Sequence, residues 1–304
     1  MTKIIIIYKK HIKIILIVFI LFISIFSIST YSHNKNIFTF SSNSKYYSNN
    51  NYDLNGDGIK DELSIYKLNN FYEIKVTSNN SEYLLNCIDN NFLSVCPNYN
   101  LKINIIDLSR DNIPEIILSN SIDNTAKQLI IKWTGEKFET IESLNNNILG
   151  IINSKNTQTP MIFSASVPNY KNSLLFLIDN NSICSLNSLN YTINSLSETE
   201  KFVDLIEYPY EILEVPDIFS SDISYDELKL LWNLNKEIYQ YTFQSGYFYD
   251  IDWNNYGSPN SILWTISFKK NKISNSKDEG NEFVLYIEVS LDQYNNYRIS
   301  SIKK

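Results

Sequence analysis

The hydrophobic pattern changes character three times along the chain. It opens with the apolar run Ile14-Ile15-Leu16-Ile17-Val18-Phe19-Ile20-Leu21-Phe22-Ile23, which continues through serines to Ile28 and follows Lys3, Lys9, Lys10 and Lys13. No Asp or Glu occurs before Asp53. A basic segment followed by an apolar one is an export pattern, its positive end held in the cytoplasm. The run is short for a span of about 20 residues and long for a signal peptide. Residues 1–31 therefore predict either a retained single anchor with the N-terminus inside or a cleaved signal peptide, with Ser27-Ile28-Ser29 as the cleavage candidate. Everything after about residue 32 is expected to be extracytoplasmic. Residues 32–50 are polar and aperiodic and read as a linker.

From 51 to 190 the pattern turns to short period-two runs of β-branched and aromatic residues between Asn, Asp and Ser turns. Expected strands include Glu62–Tyr66, Tyr72–Thr77, Leu101–Ile105, Glu115–Leu118, Gln128–Trp133 and Leu174–Ile178. After about 190 the period lengthens. Ser197-Glu-Thr-Glu200 opens an amphipathic run with Phe202, Val203 and Ile206, and Ser224-Tyr-Asp-Glu227 opens another with Leu228, Leu231, Trp232 and Leu234. Both carry the Ser-x-x-Glu pattern in which serine and glutamate satisfy free backbone N–H groups at a helix start. Strands resume at Tyr241–Phe248, Ser261–Phe268, Glu282–Ser290 and Tyr297–Ile302. This predicts a β-repeat domain over 51–190 and a C-terminal α+β domain over 191–304, the latter an antiparallel sheet curled over helices.

Composition narrows the chemistry. Four of the 26 basic residues lie in the export segment, leaving 22 against 33 acidic ones, a net charge of −11. Such acidity argues against nucleic acid and against anionic lipid surfaces, and suits a surface that holds cations. The only histidines, His11 and His33, lie in or beside the export segment. That excludes Ser-His-Asp and Cys-His catalysis and His-built zinc sites from the folded part, leaving enzymes built on carboxylates. Of three cysteines, Cys87 and Cys96 are spaced to bridge a hairpin or to remain as unreactive thiols, and Cys184 is expected in the core.

The segment Asp53-Leu-Asn55-Gly-Asp57-Gly58-Ile59-Lys60-Asp61 places side-chain oxygens at positions 1, 3, 5 and 9 and a glycine at position 6. Alternate residues in a tight loop converge, and calcium takes six to eight oxygens at roughly 2.3–2.6 Å. The Ile59 carbonyl, at position 7, completes the expected donor set. Position 12 is Ser64 rather than the bidentate Glu of a helix–loop–helix site, and strand follows instead of helix. A second copy places Asp107, Ser109, Asp111 and Glu115 at the same positions, with Asn112 in place of the glycine. A third, from Asn153, has Lys155 and Met161 at ligand positions, and Asp252-Trp-Asn254-Asn-Tyr256-Gly257-Ser-Pro259-Asn260 is a fourth echo.

DLNGDGIKD followed by a strand resembles the calcium loop of FG-GAP/VCBS-type repeats of integrin-like β-propellers and bacterial surface proteins. Trp133-Thr-Gly135-Glu-Lys-Phe138 is similar to the strand–turn–strand between such loops. The resemblance spans about 51–165. It implies Ca2+ on Asp53, Asn55, Asp57, Ile59 and Asp61, and by the same motif on Asp107, Ser109, Asp111 and Glu115. Blades of about 50 residues leave room for three, an incomplete propeller. The expected fold class is thus mainly β with a minor α+β part, a propeller-like β-repeat domain plus a C-terminal helix-and-antiparallel-sheet domain.

The expected function is a non-enzymatic, calcium-binding surface protein. It would be held in the membrane through residues 14–31 if uncleaved, and would bind or adhere to a protein or glycan at the cell surface. Two alternatives compete. One is a carboxylate-based extracellular glycan hydrolase, suggested by the aromatic Trp253, Tyr256 and Trp264 near Asp250 and Asp252, with no catalytic carboxylate pair identified in the sequence. The other is a sensor or accessory module whose C-terminal domain encloses a small apolar ligand.

Overall fold

The computed structural model describes residues 37–40, 46–79, 81–85, 88–89, 91–152, 159–167, 171–186, 193, 195–254, 258–274 and 280–304. The export segment, the third loop copy from Asn153 to Gln158 and Tyr256 lie outside the described residues. Among the described residues no helix is long and apolar enough to cross a membrane.

The chain is mainly β, with three open sheets and two helices among the described residues. A four-stranded sheet runs in the order β2 (Tyr46–Tyr52), β3 (Asp61–Leu68), β4 (Phe71–Ser78), β5 (Ser81–Leu84). A five-stranded sheet places β1 (Ile37–Phe40) beside β6 (Leu101–Ile106), then β7 (Glu115–Ile122), β8 (Thr125–Trp133) and β9 (Phe138–Leu144). The third sheet contains β10 (Ile148–Ile152), β11 (Met161–Ser166), β12 (Lys171–Asp179) and β13 (Ser182–Leu186). It also contains β14 (Tyr239–Trp253), β15 (Pro259–Lys272), β16 (Asn281–Leu291) and β17 (Tyr297–Lys303). Its order is β13-β12-β11-β10-β14-β15-β16-β17, joined through a parallel β10–β14 pair in which Ile148 faces Gly246. Strands from both sides of residue 190 thus share one sheet, and residues 37–304 form one compact unit. Residues 37–40 and 46–50, read as linker, are paired strand.

Alternation along each strand explains the layering. In β7 and β8, Ile116, Leu118, Leu129 and Ile131 face the four-stranded sheet, meeting Leu63, Ile65, Ile74 and Val76. Their neighbours Ile117 and Ile130 face the opposite way, onto Leu149, Ile151, Ile162 and Ile178 of the eight-stranded sheet. Both faces of the central sheet are therefore buried, which is why its strands read as near-continuous apolar runs. Each fully buried side chain of this kind contributes about 1.5–3 kcal/mol. The far face of the large sheet is covered by α1 (Leu196–Glu207) and α2 (Tyr225–Trp232), with Phe202, Val203, Ile206 and Leu231 against Phe248, Trp264, Ile266 and Ile287. A buried ion pair, Lys102–Glu282 at 2.9 Å, ties β6 to β16, with Ser245 and Ser267 also accepting from the ammonium.

Local expectations divide. Ser224 caps α2 and its Oγ accepts from the Glu227 N–H at 3.3 Å, as the sequence pattern predicts. α1 starts earlier than its Ser-x-x-Glu pattern: Ser195 is the cap residue and makes no side-chain capping bond, because the buried face set by Thr199, Phe202 and Ile206 extends back past Ser197. Cys184 is exposed rather than in the core, because β13 is an edge strand whose alternate residues face solvent. Cys96 carries a free thiol that donates to Asn98 Oδ1 at 3.1 Å; Cys87 lies outside the described residues.

Candidate metal centre

The loop copies occupy equivalent places. Residues 53–60 join β2 to β3, residues 107–114 join β6 to β7, the third copy falls between β10 and β11, and the fourth between β14 and β15. Each stands between the first and second strands of a four-stranded antiparallel meander.

The first two loops share one backbone design. Position 4 has positive φ in both, +76° at Gly56 and +61° at Arg110, as does position 6, +84° at Gly58 and +69° at Asn112. Glycine adopts this region without a side-chain penalty and asparagine tolerates it, so both loops make the same turn. Three hydrogen bonds recur. The position 2 amide donates to the position 9 carboxylate, Leu54 to Asp61 Oδ2 and Leu108 to Glu115 Oε2, each at 2.7 Å. The position 6 amide donates to position 1, Gly58 to Asp53 Oδ2 at 2.7 Å and Asn112 to Asp107 Oδ2 at 3.1 Å. The position 7 amide donates to position 5, Ile59 to Asp57 Oδ1 at 2.8 Å and Ile113 to Asp111 Oδ1 at 2.9 Å. The loops also touch: a Cβ on Gly56 would stand 2.5 Å from Ile113 Cδ1.

Their electrostatics differ. In the first loop no ion pair from the described residues reaches Asp53, Asp57 or Asp61. Asp57 Oδ2 accepts neutral bonds from Asn79 Nδ2 at 2.8 Å, Ser78 Oγ at 3.2 Å and Asn55 Nδ2 at 3.4 Å. The Ile59 N–H holds the Asp57 carboxyl below its ordinary range against a smaller opposing effect of burial, with Asn55 and Ser78 assisting. Asp61 is 1% exposed and its Oδ1 has no hydrogen-bond partner among the described residues. An ionised oxygen buried without a partner is costly.

In the second loop the corresponding space holds an ammonium group. Lys132 Nζ lies 2.8 Å from Ser109 Oγ, 2.7 Å from Asp111 Oδ2 and 3.1 Å from Glu115 Oε1, while Ser109 Oγ donates to Glu115 Oε1 at 2.8 Å. The side chains of Lys132 and Glu115 are 3% and 0% exposed. Burial works against the charge on Lys132, but hydrogen bonds and attraction from Asp111 and Glu115 outweigh it and raise its pKa. Burial likewise opposes ionisation of Asp111, and the Lys132 bond, the Ile113 amide and the Lys132 charge reverse that and lower its pKa. Asp107 Oδ1 makes no hydrogen bond among the described residues.

Strand register explains the difference. Ile116 pairs with Ile131, so Lys132 faces Glu115 one step on. Glu62 pairs with Thr77, so Ser78 faces Asp61 one step on. Ser78 and Lys132 therefore occupy equivalent positions, neither within the loop motif. The signal for Lys132 is a single lysine in the otherwise apolar stretch Leu129-Ile-Ile-Lys-Trp133.

The donor set of the first loop is all oxygen, with three carboxylates, the Asn55 amide and the Ile59 carbonyl, which suits a hard cation such as calcium. Asn55 now turns Nδ2 toward Asp57, and a bound ion would require that amide to present its oxygen. Among the described residues no three His, Cys, Asp or Glu side chains form a compact metal-holding group. In the fourth loop Asn260 Nδ2 donates to Asp252 Oδ2 at 3.2 Å, and Asp250, 1% exposed, accepts from Trp253 Nε1 at 2.7 Å. Trp264 is a core residue against Phe248 rather than a surface platform. Trp133 and Phe138 pack at 5.0 Å across the Gly135 turn, and Tyr83 of β5 contacts both rings. A cleft of about 830 Å³ lies in the C-terminal loops, where Arg298 is already paired with Asp217 and Asp292. The chain matches no protein-family profile and no curated protein.

Proposed function

We propose that this chain is an exported, non-enzymatic surface protein stabilised by calcium at the 53–61 loop, with a binding or adhesion role toward a protein or glycan. The observation that carries the calcium reading is the buried Oδ1 of Asp61, without a hydrogen-bond partner among the described residues, in a loop whose three carboxylates form no ion pair among those residues. Calcium would be held by Asp53, Asn55, Asp57, the Ile59 carbonyl and Asp61. It would neutralise the loop and join the entry of β3 to the end of β2. Sites of extracellular modules bind at roughly 0.1–1 mM, which outward placement would saturate.

The fold reading is an open, propeller-like repeat. Its support is the recurrence of a four-stranded meander with the loop at the same joint, the last two meanders fused edge to edge through β10 and β14. Residues 1–31 would export the chain and, if retained, anchor it.

Calorimetric titration of calcium into the chain tests the site. Binding is expected for the wild type and lost in Asp57→Ala, and equal heat from both proteins would contradict the proposal.

A further inference from the structure

The shared backbone of the first two loops makes each a control for the other. In both loops positions 3 and 5 meet the residue across the following hairpin: Asn55 Nδ2 and Asp57 Oδ2 in the first, Ser109 Oγ and Asp111 Oδ2 in the second, where Glu115 Oε1 of position 9 joins them. That residue is Ser78 in one case and Lys132 in the other. An ammonium has three N–H donors. Lys132 directs its three contacts to Ser109, Asp111 and Glu115, which are the oxygens of positions 3, 5 and 9. A calcium ion needs those same oxygens at shorter range, and two cations do not share one set of ligands a few ångströms apart.

We infer that Lys132 is the built-in cation of the second loop, its ammonium standing where an external divalent ion would stand in the first. The 107–115 loop then folds without metal, and the calcium response of the chain belongs to the 53–61 loop and the β2–β5 sheet alone. This rests on the reading of the first loop as a calcium site, and it also names what separates a metal-requiring copy from a metal-independent one: a single position across the hairpin, serine or lysine. The extra methylene of Glu115 relative to Asp61 fits the same division. Its Oε1 reaches the ammonium and the Ser109 hydroxyl, while Asp61 Oδ1 reaches no donor.

Exchanging the two residues tests it. Lys132→Ser should bind one calcium ion more than the wild type by calorimetry. Its melting temperature should fall in chelator and recover with calcium. Ser78→Lys should lose the wild-type calcium ion while keeping its melting temperature in chelator. If the wild type binds none and Lys132→Ser binds one, the first-loop reading fails and the Lys132 assignment stands. The assignment is overturned in three cases. The first is Lys132→Ser gaining no ion. The second is that variant folding in neither calcium nor chelator, because the metal then fails to replace the ammonium. The third is a wild type binding two ions, one of which is lost in Asp111→Ala.

Discussion

The loops at 53–61 and 107–115 have the same turns and the same three backbone-to-carboxylate hydrogen bonds, yet among the described residues only the carboxylates of the second are ion-paired. A carboxylate held in or near the interior needs compensating donors or a cation. In the second loop a lysine from β8 supplies the cation from within the fold. In the first, Ser78, Asn79 and Asn55 supply only neutral donors. On the proposed calcium reading, the motif would specify where a cation sits, and the partner strand would decide whether it comes from the protein or from solution.

Substitutions that break this comparison are ranked by how much charge they leave uncompensated. Lys132→Met strands the buried Glu115, and removing one member of a buried pair costs about 3–5 kcal/mol. Urea unfolding in chelator should show a loss of that size, and a loss under about 1 kcal/mol would mean the pair is not what holds the loop. Calcium at about 100 times its dissociation constant should add about 2.7 kcal/mol to the wild type. For a chain of this size that is a rise of about 4–5 °C in melting temperature. Asp61→Asn should show little of it.

Gly56→Ala and Gly58→Ala sharpen the turn requirement. Each places a side chain at positive φ, a strain of about 1–3 kcal/mol. Gly56→Ala should cost more, because its Cβ also meets Ile113 while Gly58 faces open space. Equal losses in the two variants would show that contact between the loops carries no weight.

The smallest effect is in acid. The folded Asp111 carboxyl lies below its ordinary value of about 3.9, so its contribution is complete above that pH and is lost as pH falls through the lower folded value. The raised Lys132 contributes fully below about pH 10.4 and is lost only as pH rises past its folded value. Between these limits the Asp111–Lys132 pair should be indifferent to pH. In chelator, Asp111→Asn should flatten the stability-versus-pH curve below pH ~4. An unchanged curve would place the acid sensitivity elsewhere.

Much of the local structure is legible in sequence because it depends on near neighbours. The positions of Asp53, Asn55, Asp57 and Asp61 predict the loop, the Ser224–Glu227 pattern predicts the start of α2, and period-two runs mark β3, β4, β7 and β8. What is not legible depends on pairing between distant segments. Tyr46–Tyr52 is a strand with only Asn49 buried, so its alternation carries little apolar signal. The parallel β10–β14 pair joins residues nearly a hundred positions apart, past the helices that suggest a boundary at 190. Lys132 and Ser78 acquire their roles only when register sets them opposite Glu115 and Asp61.

The most direct test is the number of calcium ions bound per chain, counted by calorimetry for the wild type, Asp57→Ala and Asp111→Ala. The expected counts are one, none and one. Two ions in the wild type with one lost in Asp111→Ala, or one ion that survives Asp57→Ala, would contradict it.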